Sequence, residues 1–345
     1  MQKKSFKLTA LILAVLMSVT MLAACGGGGG SQPAGGGDEG DAVVEGEFNP
    51  ADYPIGMAVI IKSHPVIQTW LAGAAGKAEE LGYPFYVFGV DGSNPAEVVA
   101  LADAGIAQHG IKGMCLMPID ASISSYAQKW NQMGVATVIA HHFEPFMDDG
   151  AIATIGCEPE EYARVAAQEI GNQVGGTGTV AITCGEYRSN EAAAADAFME
   201  EMAAKFPDIK VLDPQEEGFD TPIAIQRATS IIQANPDLVA AFSTTGAGPT
   251  TWATAQRNAG RGICIISMDY TLPNLDLVKS GEVHALIAQP SVHEWSVAVE
   301  LLDKYFRGED FEYRNVLPAP LITIDNVDEY YDLVNWTVEI MKKYN

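Results

Sequence analysis

The stretch that decides the fold is residues 55–88, IGMAVIIKSHPVIQTWLAGAAGKAEELGYPFYVF. It begins with a short apolar run at 56–61 and ends with another at 85–88, and both runs are typical of buried β-strands. Between them, apolar residues recur at the spacing of an amphipathic helix: Val66, Ile67, Trp70, Leu71, Ala74, Ala75, Ala78 and Leu81. Gly82 follows as a helix stop. The stretch therefore predicts a strand, a helix that packs on a sheet, and a second strand.

The same unit repeats along the rest of the chain in two series. The first series predicts strands near 56–61, 85–88, 113–117, 136–140 and 152–155, and the second predicts strands near 179–183, 210–212, 239–243, 263–267 and 285–288. Strands that alternate with helices predict parallel sheets, so the fold class is α/β with two doubly wound, Rossmann-like lobes. Ligands of such sheets bind beyond the carboxyl ends of the strands, and the loops after the strands are therefore the place to look for a site.

Composition and charge exclude several classes of protein. The chain has 345 residues, enough for two domains, and its 44 acidic and 20 basic residues give a net charge of −24. Loss of Lys3, Lys4 and Lys7 with a cleaved leader would leave −27. A field of this sign repels phosphate backbones and anionic lipid, so we expect no nucleic-acid partner. Five cysteines and 48% hydrophobic residues fit neither a disulfide scaffold nor a disordered chain.

The amino terminus predicts export and lipid attachment. Residues 1–24 combine a basic start with an apolar run that is short for a membrane span, which indicates a signal peptide. Leu22-Ala23-Ala24-Cys25 resembles the lipobox of bacterial lipoproteins, and this resemblance implies that Cys25 carries a lipid after cleavage. The Gly-rich segment 25–50 predicts a flexible linker. We therefore expect an extracytoplasmic protein that its lipid anchors to the bacterial cell membrane.

Several short motifs recur in a specific order between about Ile55 and Tyr330. They are Pro65, Gly73-Ala74, Leu81-Gly82-Tyr83, Ser93-Asn94-Pro95-Ala96-Glu97, Gly113-Met114, Met117-Pro118-Ile119-Asp120, Ser267-Met268-Asp269, Ile287-Ala288-Gln289-Pro290 and Leu321-Ile322-Thr323-Ile324-Asp325-Asn326-Val327. In their order and spacing, these motifs resemble the ribose/galactose-type periplasmic sugar-binding proteins of ABC transporters. The resemblance implies a type I periplasmic binding protein fold and a protein that captures a small polar ligand, a sugar by expectation, for the permease subunits of an ABC importer.

The resemblance also implies how the chain divides between the lobes. The first lobe would comprise 51–157 and 290–321, and the second 158–289 and 322–345. The chain would cross between the lobes three times, near Cys157-Glu158, Gln289-Pro290 and Leu321-Ile322, and the lobes would close on the ligand by hinge motion. We expect a monomer that needs no cofactor.

Three residues match the ligand contacts of that family by position. Asp269 and Gln289 match its polar contacts on the second lobe and hinge, and Phe219 matches the aromatic residue that stacks on a sugar ring. Each has a structural alternative: Asp269 could cap the helix that begins near Pro273, Gln289 could satisfy hinge backbone groups, and Phe219 could be core.

Other pocket positions depart from the family pattern. His141 and His142 stand where an Asp-Arg pair is common, His64 stands where Asn is frequent, and Thr245-Gly246 replaces a usual Asn-Asp. Imidazoles supply donors and acceptors without fixed charge near neutral pH, which favours a neutral polar ligand over an anion. Tyr187, Arg188 and Asn190 are candidates to replace the lost contacts.

Two other functions remain open from the sequence. A receptor of the same fold that signals in response to a sugar or an autoinducer would share every motif above. A metal-binding lipoprotein would use His64, His141, His142 and Glu144, although neighbouring residues on an extended segment point to opposite sides.

The sequence shows no pattern of an enzyme. A nucleophile elbow, a His-Glu-x-x-His motif and paired catalytic carboxylates are all missing from it. Cys115 and Cys264 lie in apolar runs and are predicted to be core, whereas a bridge between Cys157 and Cys184 stays open at this stage.

Overall fold

The computed structural model describes residues 48–92, 94–118, 122–141, 150–187, 189–218 and 220–344. The predicted signal peptide, Cys25 and nearly all of the predicted linker lie outside these residues, as do Phe219, His142 and Arg188. No described helix is both long enough and apolar enough to cross a membrane.

The first sheet is parallel throughout and has the strand order β12-β5-β4-β3-β1-β2. Its strands are β1 (Ile55–Val59), β2 (Phe85–Gly89), β3 (Gly113–Leu116), β4 (Ala136–His141), β5 (Ala153–Gly156) and β12 (Arg314–Val316). The five predicted strands of the first series agree with β1 to β5 within two residues at each end, whereas the short β12 was missed.

The second sheet has the order β13-β11-β10-β9-β6-β7, with β8 also paired to β6. Its strands are β6 (Gly178–Cys184), β7 (Ile209–Val211), β8 (Gln215–Glu216), β9 (Leu238–Ser243), β10 (Cys264–Met268), β11 (Ala285–Ile287) and β13 (Leu321–Ile322). Only β13 runs antiparallel to its neighbour among the strands described here. Two doubly wound α/β lobes, as predicted, are thus confirmed.

Helices cover the sheets. They are α1 (Pro65–Leu81), α2 (Pro95–His109), α3 (Ile123–Gln132), α4 (Pro159–Gln173), α5 (Ser189–Lys205), α6 (Thr221–Ala234), α7 (Gly248–Ala259), α8 (Leu272–Lys279), α9 (Ser291–Arg307) and α10 (Val327–Met341). Gly82 ends α1 in the left-handed conformation, with φ of 84°, as the predicted stop.

The packing of α1 on α9 depends on Gly73. A Cβ atom there would lie 2.2 Å from the carbonyl oxygen of Val292, so only glycine allows this approach. Ser296 donates a hydrogen bond to the Gly73 carbonyl oxygen at 3.1 Å. The contact fixes Trp70 of α1 beside Trp295 of α9, with ring centroids 5.4 Å apart and both side chains buried.

The chain passes between the lobes in three places. It leaves the first sheet after β5 to enter α4, returns between β11 and α9, and leaves again between β12 and β13. The first two crossings lie at the predicted Cys157-Glu158 and Gln289-Pro290, and the third occupies 317–320, just before the predicted Leu321-Ile322.

Helix α10 contacts both lobes. At its start, Val327 is buried in the core of the second lobe, and Lys279 of α8 pairs with Asp328 at 2.5 Å. Beyond its end, Lys343 pairs with Glu79 of α1 at 2.7 Å. Within 322–345, β13 and the start of α10 therefore pack on the second lobe, whereas the end of α10 packs on the first lobe.

Candidate functional site

Polar residues follow the strands of both sheets at their carboxyl ends. In the second lobe, Glu217 follows β8, Thr245 follows β9 and Asp269 follows β10. In the first lobe, His64 follows β1 and His141 ends β4. These ends are where open α/β sheets bind ligands.

A cavity of about 740 Å³ separates the two lobes beside Asp269. It is lined by the start of α1, the segment that leads into α8 and the end of α10, through Ser63, Pro65, Val66, Gln68, Thr69, Asp269, Tyr270, Thr271, Leu272, Pro273, Ser291, Val334, Thr337, Val338, Met341 and Lys342. This volume lies in the range of small-molecule sites, and the largely apolar walls suit a carbon skeleton.

A larger hollow of about 910 Å³ lies elsewhere, near the amino ends of β9 and β10. Its Arg261 donates hydrogen bonds to the carbonyl oxygens of Ile232, Asn235 and Leu238 at 2.7 to 3.0 Å, which ties the guanidinium to the fold. We therefore assign the candidate site to the cavity beside Asp269.

Asp269 is held in a strained conformation with an open carboxylate. Its φ of 65° places it in the left-handed region, which is costly for a residue with a Cβ and is typical of functional positions. Its carboxylate receives no hydrogen bond from any described residue. The carboxylate packs against Gly246, where a Cβ atom would lie only 2.4 Å from Oδ2. Burial raises the pKa of Asp269 to about 6. The N-cap of α8 is Thr271, so the alternative role of Asp269 as its cap does not apply.

Glu217 and two hydroxyl groups form a hydrogen-bonded cluster at the carboxyl edge of the second sheet. Thr245 donates a hydrogen bond to Glu217 Oε1, and Ser243 donates another at 3.0 Å. Ser267 in turn donates to the carbonyl oxygens of Ser243 and Thr245 at 3.1 Å. Glu217 is fully buried, and its Oε2 has no hydrogen-bond partner among the described residues. The sequence-predicted Thr245 is thus a support of a carboxylate that the sequence analysis missed.

His141 is buried against α1 and α9. Its φ is 111°, its ring lies 4.1 Å from that of Trp70, and its Nδ1 lies 3.4 Å from Glu294 Oε2. Burial lowers the pKa of His141 to about 3 and raises that of Glu294 to about 8. Because burial penalises both charged forms, the two groups form a neutral hydrogen bond near neutral pH instead of an ion pair.

Other predicted site residues lie at the rim or hinge. His64 caps α1, since its Nδ1 accepts a hydrogen bond from the Val66 amide at 3.3 Å, and it is exposed. Tyr187 is exposed and donates its hydroxyl proton to Asp196. Asn190 lies in the first turn of α5, and Gln289 is half-buried at the second crossing, where its backbone carbonyl accepts from Ser291 at 2.7 Å.

The four cysteines among the described residues are free thiols. Cys115, Cys157 and Cys184 are buried free thiols, so Cys157 and Cys184 are not bridged, and Cys264 is half-buried and also free. His142 and Glu144 lie outside the described residues. Within the described part of the chain, no three His, Cys, Asp or Glu side chains group as metal ligands.

Glu294 and Glu217 are buried carboxylates that the sequence analysis missed, and neither lines the cavity beside Asp269. Glu294 lies on the buried face of α9, which also carries Ser291, Trp295 and Ala298. A charged residue on an otherwise apolar helical face is a signal that sequence alone contains. Glu217 precedes Phe219 by two residues and gives no comparable signal.

Comparison with known proteins gives a consistent result. The profile of the family described as "Periplasmic binding protein domain" matches residues 55–310. The xylitol-binding protein of Mycolicibacterium smegmatis is 29% identical over 178 residues, which is 50% of this chain and only 50% of that protein. The ribose import binding protein RbsB of Salmonella typhimurium is 23% identical over 272 residues, covering 78% of this chain and 90% of that protein.

Solved structures share the fold over most of the chain. A sugar ABC transporter sugar-binding protein from Bacillus halodurans has a TM-score of 0.73 and 22% identity, and the match covers 81% of this chain and all of the other. The arabinose-binding protein AraP from Geobacillus stearothermophilus also has a TM-score of 0.73, with 21% identity over 81% of this chain and 99% of its own.

Proposed function

This chain belongs to the periplasmic binding protein domain family, and we propose that it captures a sugar or sugar-like polyol between its lobes and delivers it to the permease of an ABC importer. The observation that carries the proposal is the open carboxylate of Asp269 at a cavity of about 740 Å³ between the lobes. A carboxylate can accept hydrogen bonds from two hydroxyl groups, and its charge makes them stronger than neutral ones. Relatives whose names specify xylitol and ribose support this class of ligand.

Closure of the lobes would complete the site. The three crossings at 157–158, 289–290 and 317–320 are the positions where a hinge can absorb backbone rotation. The ligand contributes only the difference between its affinities for the closed and open states. Contacts from both lobes, such as Asp269 on one side and Pro65 on the other, are therefore the ones that favour closure.

We propose that the protein binds without catalysing a reaction. Glu217 accepts hydrogen bonds from hydroxyl groups, and Glu294 shares one with the imidazole of His141. Burial raises the pKa of the buried thiols, which suppresses the reactive thiolate. This arrangement suits retention of a ligand.

Attachment to the membrane is proposed through a lipid on Cys25 and the linker 25–50. The lipobox-like sequence and the basic, apolar leader support it. Metabolic labelling with a palmitate analogue should mark the full chain and should leave a Cys25→Ala variant unmarked. Equal labelling of both would refute the anchor and leave ligand binding unaffected.

The ligand proposal is tested by thermal unfolding of the purified chain with a panel of monosaccharides, polyols, nucleosides and divalent metals. A ligand that binds the native state raises the unfolding temperature by mass action. We expect one sugar or polyol to raise it. A shift with only a nucleoside or a metal would contradict the proposal, and so would the lack of any shift.

A further inference from the structure

The cavity beside Asp269 has apolar walls that three helices supply. One face of α10 lines it, because residues four positions apart in a helix share a face. The apolar residues come from the start of α1, the start of α8 and that face of α10, and they are Pro65, Val66, Leu272, Pro273, Val334 and Val338. Both lobes therefore contribute apolar surface to the cavity.

This apolar surface extends from buried residues to the mouth of the cavity. Leu272 is 37% exposed and Val338 is 51% exposed, although they lie on different helices of the same cavity. Tyr270 and Met341 also line the cavity and are buried. Single exposed apolar residues are ordinary on a protein surface, whereas several that line one concave site are typical of a ligand groove.

The polar groups of the cavity are few and partly occupied. The Gln68 amide donates to a carbonyl oxygen of the loop before α1, and the hydroxyl groups of Thr69 and Thr337 donate to carbonyl oxygens of their own helices, each at 2.7 Å. Among the described residues, Asp269 alone supplies a carboxylate to the lining. A sugar whose hydroxyl groups bind Asp269 would thus face mainly apolar side chains with the rest of its surface.

A free sugar complements such a cavity only in part. Hydroxyl groups surround its ring, and each one that loses its bond to water beside an apolar wall, without gaining a partner, costs free energy. An apolar substituent in the same place gains free energy, because it and the exposed Leu272 and Val338 are removed from water together. The cavity of about 740 Å³ has the scale of sites for drug-sized ligands, so it can hold a sugar ring with a substituent.

We infer that the site selects a glycoside with an apolar aglycone, an alkyl or aryl group, over the corresponding free sugar. Asp269 binds hydroxyl groups of the sugar, and the aglycone lies against Leu272 and Val338. This inference rests on the proposed function and specifies its ligand class.

The inference is tested by calorimetric titration of the purified full chain with matched ligands. The sets are D-glucose, D-galactose, D-xylose and any sugar found in the thermal panel, each with its methyl and phenyl glycosides in both anomeric forms. We expect a phenyl glycoside of at least one set to bind about tenfold or more tightly than its free sugar, with the methyl glycoside between them. The heat capacity change of binding should be more negative for that phenyl glycoside, because it buries more apolar surface.

Matched variants locate the aglycone. Leu272→Gln and Val338→Gln each remove an exposed apolar side chain from the cavity, and each should reduce the preference for the phenyl glycoside about threefold or more. Leu101→Gln on α2 and Val165→Gln on α4 make the same changes at similarly exposed residues that do not line the cavity. These two controls should leave the preference unaltered.

The outcomes distinguish the inference from the proposed function. If a free sugar binds and its phenyl glycosides bind no more tightly, the inference is overturned while the proposed function stands. If neither the free sugars nor the glycosides bind, both fail. A preference that persists at full strength in both Leu272→Gln and Val338→Gln would place the aglycone outside this cavity and would also overturn the inference.

Discussion

The two lobes share one topology, yet they place different chemistry at the cleft. In the first lobe, His141 is packed against Trp70 and shares a neutral hydrogen bond with Glu294, so its polar groups are turned into the fold. In the second lobe, the carboxylate of Asp269 lines the cavity and receives no hydrogen bond from any described residue, while Glu217 accepts one from Thr245. We therefore propose that the first lobe supplies a packed wall and that the second supplies the polar contacts to the ligand.

The largest effect is expected from a substitution that disrupts the packing of α1 on α9 in the first lobe. Gly73→Ala would place a Cβ 2.2 Å from the Val292 carbonyl oxygen and force α1 away from α9, at a cost of about 3 kcal/mol or more in the free energy of unfolding. Chemical denaturation measures this. Gly262→Ala is the control, because a Cβ there meets nothing within 4 Å and its change should stay within about 0.5 kcal/mol. Equal stability of the two variants would refute the role given to Gly73.

The second-largest effect is expected from removing the charge of Asp269 in the second lobe. Asp269→Asn keeps the shape of the side chain but loses the charge, and we expect the affinity for the sugar to fall about a hundredfold. Titration calorimetry measures the change, and the unfolding temperature of the unliganded variant checks that the fold is intact. Retention of full affinity would remove Asp269 from the site.

A smaller effect concerns the pH dependence of stability in the first lobe. Burial raises the pKa of Glu294 from 4.5 to about 8, so the folded chain holds a proton that the unfolded chain has released between these values. The contribution of this group to stability is therefore present at low pH and falls as pH rises through about 4.5 to 8. Glu294→Gln cannot ionise. Relative to the parent chain, it should be about as stable at pH 5 and several degrees more stable at pH 8.5.

Differential scanning calorimetry at the two pH values makes this measurement. His141, whose pKa is lowered to about 3, is common to both proteins, so its own titration is largely removed by taking the difference. A constant difference between variant and parent across this range would contradict the buried state of Glu294.

The smallest effect is expected at the rim. Tyr187 is 41% exposed and its hydroxyl group is bonded to Asp196, away from the buried carboxylates. Tyr187→Phe should change the affinity for the sugar by no more than about twofold. A loss of affinity as large as that of Asp269→Asn would show that Tyr187 contacts the sugar once the lobes have closed.

The periodicity of the sequence predicted ten of the strands and helix α1. Alternating apolar runs and helical stripes located β1 to β5 because strands buried on both faces and helices on their surfaces leave strong patterns. The two-residue β8 and the three-residue β12 left none, since each is too short to have a period. The dual packing of α10 depends on contacts with Gly76 and Glu79, which lie far from it in sequence.

The sequence predicted where polar residues follow the strands, but it did not predict how the fold uses each of them. As predicted, Asp269, Thr245 and His141 lie at or just beyond the carboxyl ends of β10, β9 and β4, while their contact with a ligand stays a prediction. The sequence did not reveal that His141 points into a buried pair, because burial by Trp70 and Glu294 is a tertiary property. In the sequence, Glu294 is recognisable only as a charged residue on an apolar helical face. Its contact with His141 follows only from the position of α9 in the fold.

A crystal structure of the chain with the sugar that raises its unfolding temperature tests the central claim most directly. We predict that the sugar lies between the lobes with its hydroxyl groups on the carboxylate of Asp269. A sugar bound in the hollow near Arg261, or anywhere else without contact to Asp269, would contradict the account.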